Sequence, residues 1–213
     1  MITQRRWLIL GVLAALVSLG VSSAAQANGP TTGRAGRSEV RFLEGMMDHH
    51  QMALDMSNDC LAKAKTDAVR TLCQNIITAQ TAEIKTMQGW LAAWYKIDYK
   101  PVAMISSMSG GMSGMGGMVA TAQPTAAATP GMATDPAQMM GMMAGLDRLQ
   151  GRDYEIAWLE SMIDHHDDAI HMAQRILKIA EHPELRDMAQ KIIGDQGHEI
   201  QQMETMLVGF GDK

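Results

Sequence analysis

One segment of the chain occurs twice, and this repeat restricts the fold more than any other feature. Residues Phe42–His50 return as Trp158–His166, with a Met, an Asp and two adjacent His at matching positions. The same offset of 116 residues, without a gap, relates Ile76 and Ile192, Ile77 and Ile193, Gln80 and Gln196, Glu83 and Glu199, Ile84 and Ile200, Met87 and Met203, and Leu91 and Leu207. The chain therefore contains two helical hairpins of one design. One hairpin cannot bury its apolar stripe alone, so the repeat predicts an all-α four-helix bundle of two packed hairpins.

Helical periodicity and breaker residues give the boundaries of the two hairpins. The pattern predicts four helices, over residues 38–65, 68–95, 153–181 and 184–207. The first hairpin spans 38–99, with Ser38 as its N-cap, and the second spans 146–213. Residues 28–37 are expected to form a flexible arm. Residues 100–145 are rich in Gly, Ala and Met and contain several Pro, which predicts a flexible linker between the hairpins.

The N-terminus has the pattern of an export signal. Arg5 and Arg6 precede an apolar run over 8–21, and Ala25–Ala27 is a small-residue cleavage site, so residues 1–27 are interpreted as a signal peptide. A retained membrane anchor is the alternative, but the apolar run is short for a span. We therefore expect a periplasmic or secreted protein with no membrane span after cleavage. The formal net charge of −5 argues against nucleic-acid binding.

Polar residues recur within the apolar stripes of all four helices. On a helical wheel of about 100° per residue, the stripes of the first helix of each hairpin include His49, His50, His165 and His166. Met52 and His171 fall outside these stripes. The stripes of the second helix of each hairpin include Gln80, Glu83, Gln196 and Glu199. A charge that faces a core is costly unless it is paired or bound to metal, so these positions are candidates for function.

Counting outward from each turn predicts which side chains lie side by side. In an antiparallel hairpin with a rise of about 1.5 Å per residue, Glu83 lies level with His49 and His50. Met87 lies level with Met46, one turn further from the loop. The second hairpin repeats this arrangement with His165, His166, Glu199, Met162 and Met203. The sequence therefore predicts a His-His-Glu layer beside a Met-Met layer in each hairpin.

The same count places Cys60 level with Cys73. Export to an oxidising compartment would let a disulfide form and persist, so we expect a Cys60–Cys73 bridge. Two free buried thiols are the alternative. Ile176 and Ala189 occupy the matching positions of the second hairpin, so the bridge is not part of the repeated chemistry.

The recurring Met and His predict a site for a soft monovalent metal. Cu(I), with Ag(I) as its mimic, favours thioether and imidazole ligands, and a Met three or four residues from a His shares its helix face. The candidate ligands are Met46, Met47, His49, His50, Met56, Met87, Met162, His165, His166, Met172 and Met203. The residues expected to orient the imidazoles are Glu83, Glu199, Gln80 and Gln196. The alternative is a metal-free polar network that fixes the register of the hairpins.

The linker carries a second set of candidate ligands. The chain has 21 Met, and five of them recur every three or four residues in this segment: Met104, Met108, Met112, Met115 and Met118. Thioethers spaced along a flexible chain can surround a soft cation, which predicts auxiliary metal sites. Accidental enrichment of Met in a low-complexity linker is the alternative.

These motifs resemble a ferritin-like family catalogued as a domain of unknown function, DUF305. Its repeated signature is an aromatic residue, Leu, then Met-Ile-x-His-His, followed by Gln-x-x-Glu-Ile and Met, which here reads Trp158–His166 and then Gln196–Met203. The lead-in Leu146–Tyr154 is also similar to the family. The resemblance covers both hairpins, although the first copy has Met47 where Ile is usual. It implies a four-helix bundle, Cu(I) or Ag(I) binding and a role in copper tolerance.

Together these features predict an exported copper-binding protein that is not an enzyme. It would bind Cu(I) to buffer or transfer copper, with copper ions and a periplasmic copper sensor or transporter as partners. One alternative is a ferritin-like di-metal oxidoreductase, but the Glu-x-x-His motif of such sites is missing: Glu44 is followed three residues later by Met47, and Glu160 by Ile163. The other alternative is a metal-free bundle with a structural or partner-binding role.

Overall fold

Four long helices make up the described part of the chain. A computed structural model describes residues 29–102 and 145–211. The elements are α1 (Gly33–Lys63), α2 (Asp67–Trp90), a π-helical segment that extends α2 (Leu91–Tyr95), α3 (Gly151–Leu177) and α4 (Pro183–Gly211). Neither described range contains a strand. The predicted all-α helical bundle is therefore confirmed.

The hairpins join through their first helices. α1 packs along α2 and α3 along α4, and the contact between the hairpins is made mainly by α1 against α3. A helix with neighbours on two sides buries a wider sector than a single apolar stripe. This explains why Met52 is only 1% exposed, so that the wheel was wrong to place it outside the buried face.

The buried apolar side chains form two clusters at opposite ends of the bundle. Cluster A consists of Phe42, Leu43, Met46, Met47, Ile84, Met87, Leu91, Trp94, Ala169, Met172, Ala173, Ile176, Ala180, Leu185, Ala189 and Ile192. Cluster B consists of Met52, Ala53, Met56, Cys60, Ala64, Val69, Leu72, Cys73, Ile76, Leu146, Tyr154, Trp158, Leu159, Met162 and Met203. Along every helix the two clusters are separated by polar residues. This polar layer consists of His49, His50, Gln80, Glu83, His165, His166, Gln196 and Glu199.

Helix α1 begins earlier than the sequence indicates. It starts at Gly33 rather than at Ser38, so residues 33–37 are helical and not a flexible arm. The preceding chain folds against this first turn: a side chain at Gly36 would lie 1.9 Å from the carbonyl oxygen of Thr31. The hydroxyl of Thr31 also hydrogen-bonds His182 at 3.2 Å. Long-range contacts thus order a segment whose Gly content disfavours a helix.

Each turn inside a hairpin is fixed by a repeated arginine. Arg70 donates to the carbonyl oxygens of Leu61 (2.6 Å) and Ala64 (3.2 Å), which are unsatisfied acceptors at the end of α1. Arg186 does the same at the end of α3, to Leu177 (2.7 Å) and Ala180 (3.3 Å). In the first hairpin a Cys60–Cys73 disulfide, with Cα atoms 6.4 Å apart, adds a covalent link, so the predicted pairing is present.

Each hairpin also caps the turn of the other. Glu155 of α3 accepts hydrogen bonds from the backbone N–H groups of Lys65 (2.6 Å) and Thr66 (2.7 Å), at the start of α2. Glu39 of α1, which stands 116 residues earlier, accepts from the N–H groups of residues 181 (2.6 Å) and 182 (3.1 Å), before α4. Carboxylates at helix N-termini satisfy donors that the helix leaves free. The reciprocal caps therefore link the hairpins at both ends of the bundle.

Several sequence predictions fall on parts of the chain beyond this description. The signal peptide over 1–27, most of the 100–145 linker and its five candidate Met lie outside the described residues. Within 29–102 and 145–211, none of the helices combines the length and the apolar character that a membrane span requires.

Candidate metal centre

Four histidines meet at the centre of the polar layer. His50 and His166 are fully buried, and His49 and His165 are 3% and 2% exposed. The rings of His49 and His165 lie against each other across the α1–α3 interface, with centroids 3.7 Å apart and planes tilted by 36°. The two His layers predicted for separate hairpins are therefore one shared layer, because the hairpins pack with these helices in contact.

Two of the histidines are held by glutamates of the neighbouring helix. His50 Nε2 lies 2.8 Å from Glu83 Oε2, and His166 Nε2 lies 2.7 Å from Glu199 Oε2. Burial would by itself raise the pKa of Glu83, but the hydrogen bonds and charges of His50 and Lys191 outweigh it and hold the pKa below its usual value. A carboxylate that accepts Nε2–H fixes the orientation of the ring and leaves Nδ1 on the side away from it, which is how carboxylates orient metal-binding imidazoles.

The other two histidines are neutral. Burial, reinforced by the nearby imidazoles of the layer, holds the pKa values of His49 and His165 well below the usual value of 6.5. His165 Nε2 lies 3.0 Å from the backbone carbonyl of His49 and donates to it. A neutral imidazole with an available nitrogen is the form of histidine that binds metal.

Most of the ring nitrogens in the layer lack a hydrogen-bond partner. The unsatisfied buried atoms are His49 Nδ1 and Nε2 and the Nδ1 atoms of His50, His165 and His166. Each such group costs about 1–3 kcal/mol in desolvation, and native proteins rarely concentrate them without a reason. Each of the four rings therefore has at least one nitrogen without a hydrogen-bond partner.

A fifth buried histidine shows what a purely structural role looks like in this chain. His182 stacks on Trp94 with ring centroids 3.8 Å apart. Its Nδ1 lies 2.6 Å from Glu39 Oε2, and its Nε2 lies 3.1 Å from the carbonyl of Gly29. Tyr95, on the π-helical segment, donates to the same Glu39 carboxylate. Both ring nitrogens are thus engaged, in contrast to the four histidines of the polar layer. Sequence reasoning missed this site, although the offset that pairs Glu39 with Glu155 could have indicated it.

Methionines from both hairpins lie on either side of the polar layer. Cluster A brings Met46, Met47 and Met87 of the first hairpin together with Met172 of the second. Cluster B brings Met162 and Met203 of the second hairpin together with Met52 and Met56 of the first. Met172 is 9% exposed, and the others are buried at 0–1%. Each predicted Met-Met layer therefore gains thioethers from the opposite hairpin, one in cluster A and two in cluster B.

In the described residues, His, Cys, Asp and Glu side chains do not by themselves form a metal site of three or more ligands. Among residues 29–102 and 145–211, no three His, Cys, Asp or Glu side chains are placed to hold one ion together. Thioethers, which are ligands for soft metals, are the further side chains that lie close to this layer. Which of the Met and His bind metal stays a prediction.

The two glutamines predicted to orient imidazoles lie in the polar layer without a hydrogen bond to them. Gln80 and Gln196 are 2% and 3% exposed, and neither carboxamide has a hydrogen-bond partner among the described residues. Both line a cleft between α2 and α4. Glu83 and Glu199 therefore hydrogen-bond the histidines, whereas the orienting role of the glutamines stays a prediction.

The helical bundle and its layer of histidines and methionines define the class of protein. The family described as "Domain of unknown function (DUF305)" matches residues 39–207, so the chain belongs to the DUF305 family. No curated protein matches it.

Solved structures give more specific similarities. CopM in its Cu(II)-bound form is 29% identical, with a TM-score of 0.57 over 79% of this chain and 95% of that one. CopM in its Cu(I)-bound form is 26% identical, with a TM-score of 0.59 over 81% of this chain and 96% of that one. A DUF305 protein from Streptomyces coelicolor, described as secreted, is 25% identical, with a TM-score of 0.61 over 87% of this chain and 96% of that one.

Proposed function

We propose that the protein binds Cu(I), and Ag(I) as its mimic, in the layer where four buried histidines meet two methionine clusters. The observation that carries this proposal is the set of five unsatisfied imidazole nitrogens in that layer. Thioethers of Met46 and Met162, one in each cluster, precede the histidines by three residues on α1 and α3. Soft d¹⁰ cations suit this mixture of neutral nitrogen and sulfur. The similarity to copper-bound and silver-bound CopM supports the same choice of metal.

The role that follows is binding rather than catalysis. Neutral ligands on rigid helices can hold a Cu(I) ion, buffer its concentration and release it to a periplasmic sensor or transporter, which gives copper tolerance. Location in the periplasm or outside the cell agrees with the Cys60–Cys73 disulfide. Absence of oxidase activity after copper or iron loading is the expected result, and such activity would instead favour a di-metal oxidoreductase.

A Cu(I) titration of the mature protein against a competing chelator, under anaerobic reducing conditions, tests the proposal. We expect bound Cu(I) that is lost in part when the four histidines of the layer are replaced by Leu. Replacement of the exposed His171 by Leu is the control and should leave binding unchanged. No Cu(I) binding by the wild type would reject the function. Binding that survives the loss of both the layer histidines and the linker Met would reject the site.

A metal-free structural bundle is the second candidate. The hydrogen bonds of His50 to Glu83 and of His166 to Glu199 would fix the register of each hairpin without any metal. This candidate expects that Ag(I) leaves the melting temperature unchanged. A metal that binds only the folded state must raise the melting temperature. At a free metal concentration of 100 times the dissociation constant it adds about 2.7 kcal/mol to the free energy of unfolding.

A further inference from the structure

A polar cleft on the surface of the bundle reaches the two glutamates that contact the histidine layer. It lies between α2 and α4, has a volume of about 310 Å³, and is lined by Gln80, Glu83, Asp195, Gln196 and Glu199 among others. Glu83 and Glu199 line this cleft and also contact His50 and His166. One face of each glutamate thus belongs to the cleft and the other to the buried layer.

The groups in the cleft are suited to a cation. Three of its lining side chains are carboxylates, and the carboxamides of Gln80 and Gln196 are more than nine-tenths buried without a hydrogen-bond partner among the described residues. The unpaired carboxamide oxygens can donate electron pairs to a cation, and the unpaired amide nitrogens can hydrogen-bond to water or to a carboxylate. The desolvated carbonyl oxygens are an observation independent of the acidic side chains, and both supply oxygen ligands for a cation.

The two halves of the cleft differ in charge although the sequence repeat makes them similar in shape. Lys191 of α4 reaches Glu83 at 2.9 Å and Asp195 at 2.5 Å. The position related to Lys191 by the offset of 116 is Asn75 on α2, which lines the cleft near Glu199. Within the described residues the only ion-pair partner of Glu199 is His166. The negative charge is therefore neutralised at the Glu83 end and left available at the Glu199 end.

We infer that cations reach the buried histidines through the α2–α4 cleft and are held first at its Glu199 end. The inference rests on the proposed metal binding and adds to it a route and an order of filling. A cleft lined by uncompensated negative charge raises the local concentration of cations and their association rate. The His166–Glu199 half-site should accordingly receive a cation before the His50–Glu83 half-site does.

Exchange of the two symmetry-related residues tests the inference. Asn75→Lys should place an ammonium beside Glu199, as Lys191 lies beside Glu83. The matched control is Gln74→Lys, which adds the same charge to the same helix at an exposed position outside the cleft lining. Stopped-flow Trp fluorescence with silver nitrate in chloride-free buffer measures the association rate. We expect N75K to be about tenfold slower than wild type at low ionic strength and Q74K to be near wild type. The difference should vanish at about 1 M nitrate, where the screening length is about 3 Å.

The order of filling has its own readout. In an Ag(I) titration followed by the ring resonances of the histidines, His166 should shift before His50 in the wild type. The double exchange N75K/K191N should reverse this order, because it moves the positive charge from the Glu83 end of the cleft to the Glu199 end. Circular dichroism checks that all variants are folded. Equal rates in N75K and Q74K, or an unchanged order in the double exchange, would overturn the inference while leaving metal binding intact. A wild type that binds no Ag(I) would overturn the proposed function and this inference with it.

Discussion

Acid should destabilise the protein through the two neutral histidines at the centre of the layer. His49 and His165 are almost completely buried, and burial holds their pKa values well below 6.5. In the unfolded chain both rings take up a proton as the pH falls through about 6.5, whereas in the folded chain they stay neutral until the pH is much lower. The unfolded state then binds more protons, so stability decreases as the pH falls below 6.5.

The size of the effect follows from two such groups. Each costs about 1.36 kcal/mol per pH unit once the unfolded ring is fully protonated. Between pH 6.5 and 5.5 the unfolded rings go from half to almost fully protonated, so the pair should cost about 2 kcal/mol over that unit. For a protein of this length that is a decrease in melting temperature of about 4–8 °C. Urea unfolding of the metal-free protein at half-unit steps from pH 7.5 to 5 measures it.

The matched variants isolate the contribution of the two rings. H49L/H165L should lose the pH-dependent term between pH 6.5 and 5, while His171→Leu, at an exposed position, should keep it. If the free energy of unfolding changes with pH equally steeply in the wild type and in H49L/H165L, the conclusion that these histidines are buried in the neutral form is refuted.

Three further predictions follow from particular contacts. Glu155→Ala removes an acceptor from two backbone N–H groups at the start of α2 and should lower the urea-unfolding free energy by about 2–4 kcal/mol, whereas loss of less than about 0.5 kcal/mol would contradict the capping role. Reduction of the Cys60–Cys73 bridge should cost about 3 kcal/mol, measured in urea with and without reductant, and an unchanged midpoint would show that the bridge adds nothing. Glu83→Gln or Glu199→Gln should weaken Cu(I) binding about 10–100-fold in chelator competition, and an unaltered affinity would show that the carboxylates do not orient the ligands.

The sequence predicts the contacts within each hairpin well because those contacts depend on helix geometry alone. A rise of about 1.5 Å per residue and an ungapped repeat are enough to bring Glu83 to His50 and Cys60 to Cys73. Each pair lies on the two helices of one hairpin, so the short turn between those helices determines which residues lie side by side.

Contacts between the hairpins could not be predicted in this way. The contact of His49 with His165, the burial of Met52 and the cap that Glu155 makes all depend on how α1 lies against α3. That arrangement is set by packing between distant parts of the chain. The start of α1 at Gly33 is a similar case, because tertiary contacts stabilise a turn that propensity disfavours.

The positions at which the two copies of the repeat differ distinguish the two hairpins. The repeat relates Lys191 to Asn75 and Cys60 to Ile176, so the two hairpins share a core design but differ in charge and in covalent linkage. One hairpin is covalently braced, and the other carries the lysine that neutralises its partner's glutamate. The two halves of one repeated site can therefore differ in affinity for the same ion.

Anomalous diffraction from crystals soaked in Ag(I) tests the central claim most directly. The account predicts a silver peak in the polar layer, with imidazole nitrogens from that layer and a Met sulfur from cluster A or cluster B as its ligands. Silver found only at the surface or on the linker methionines, with no peak among His49, His50, His165 and His166, would contradict it.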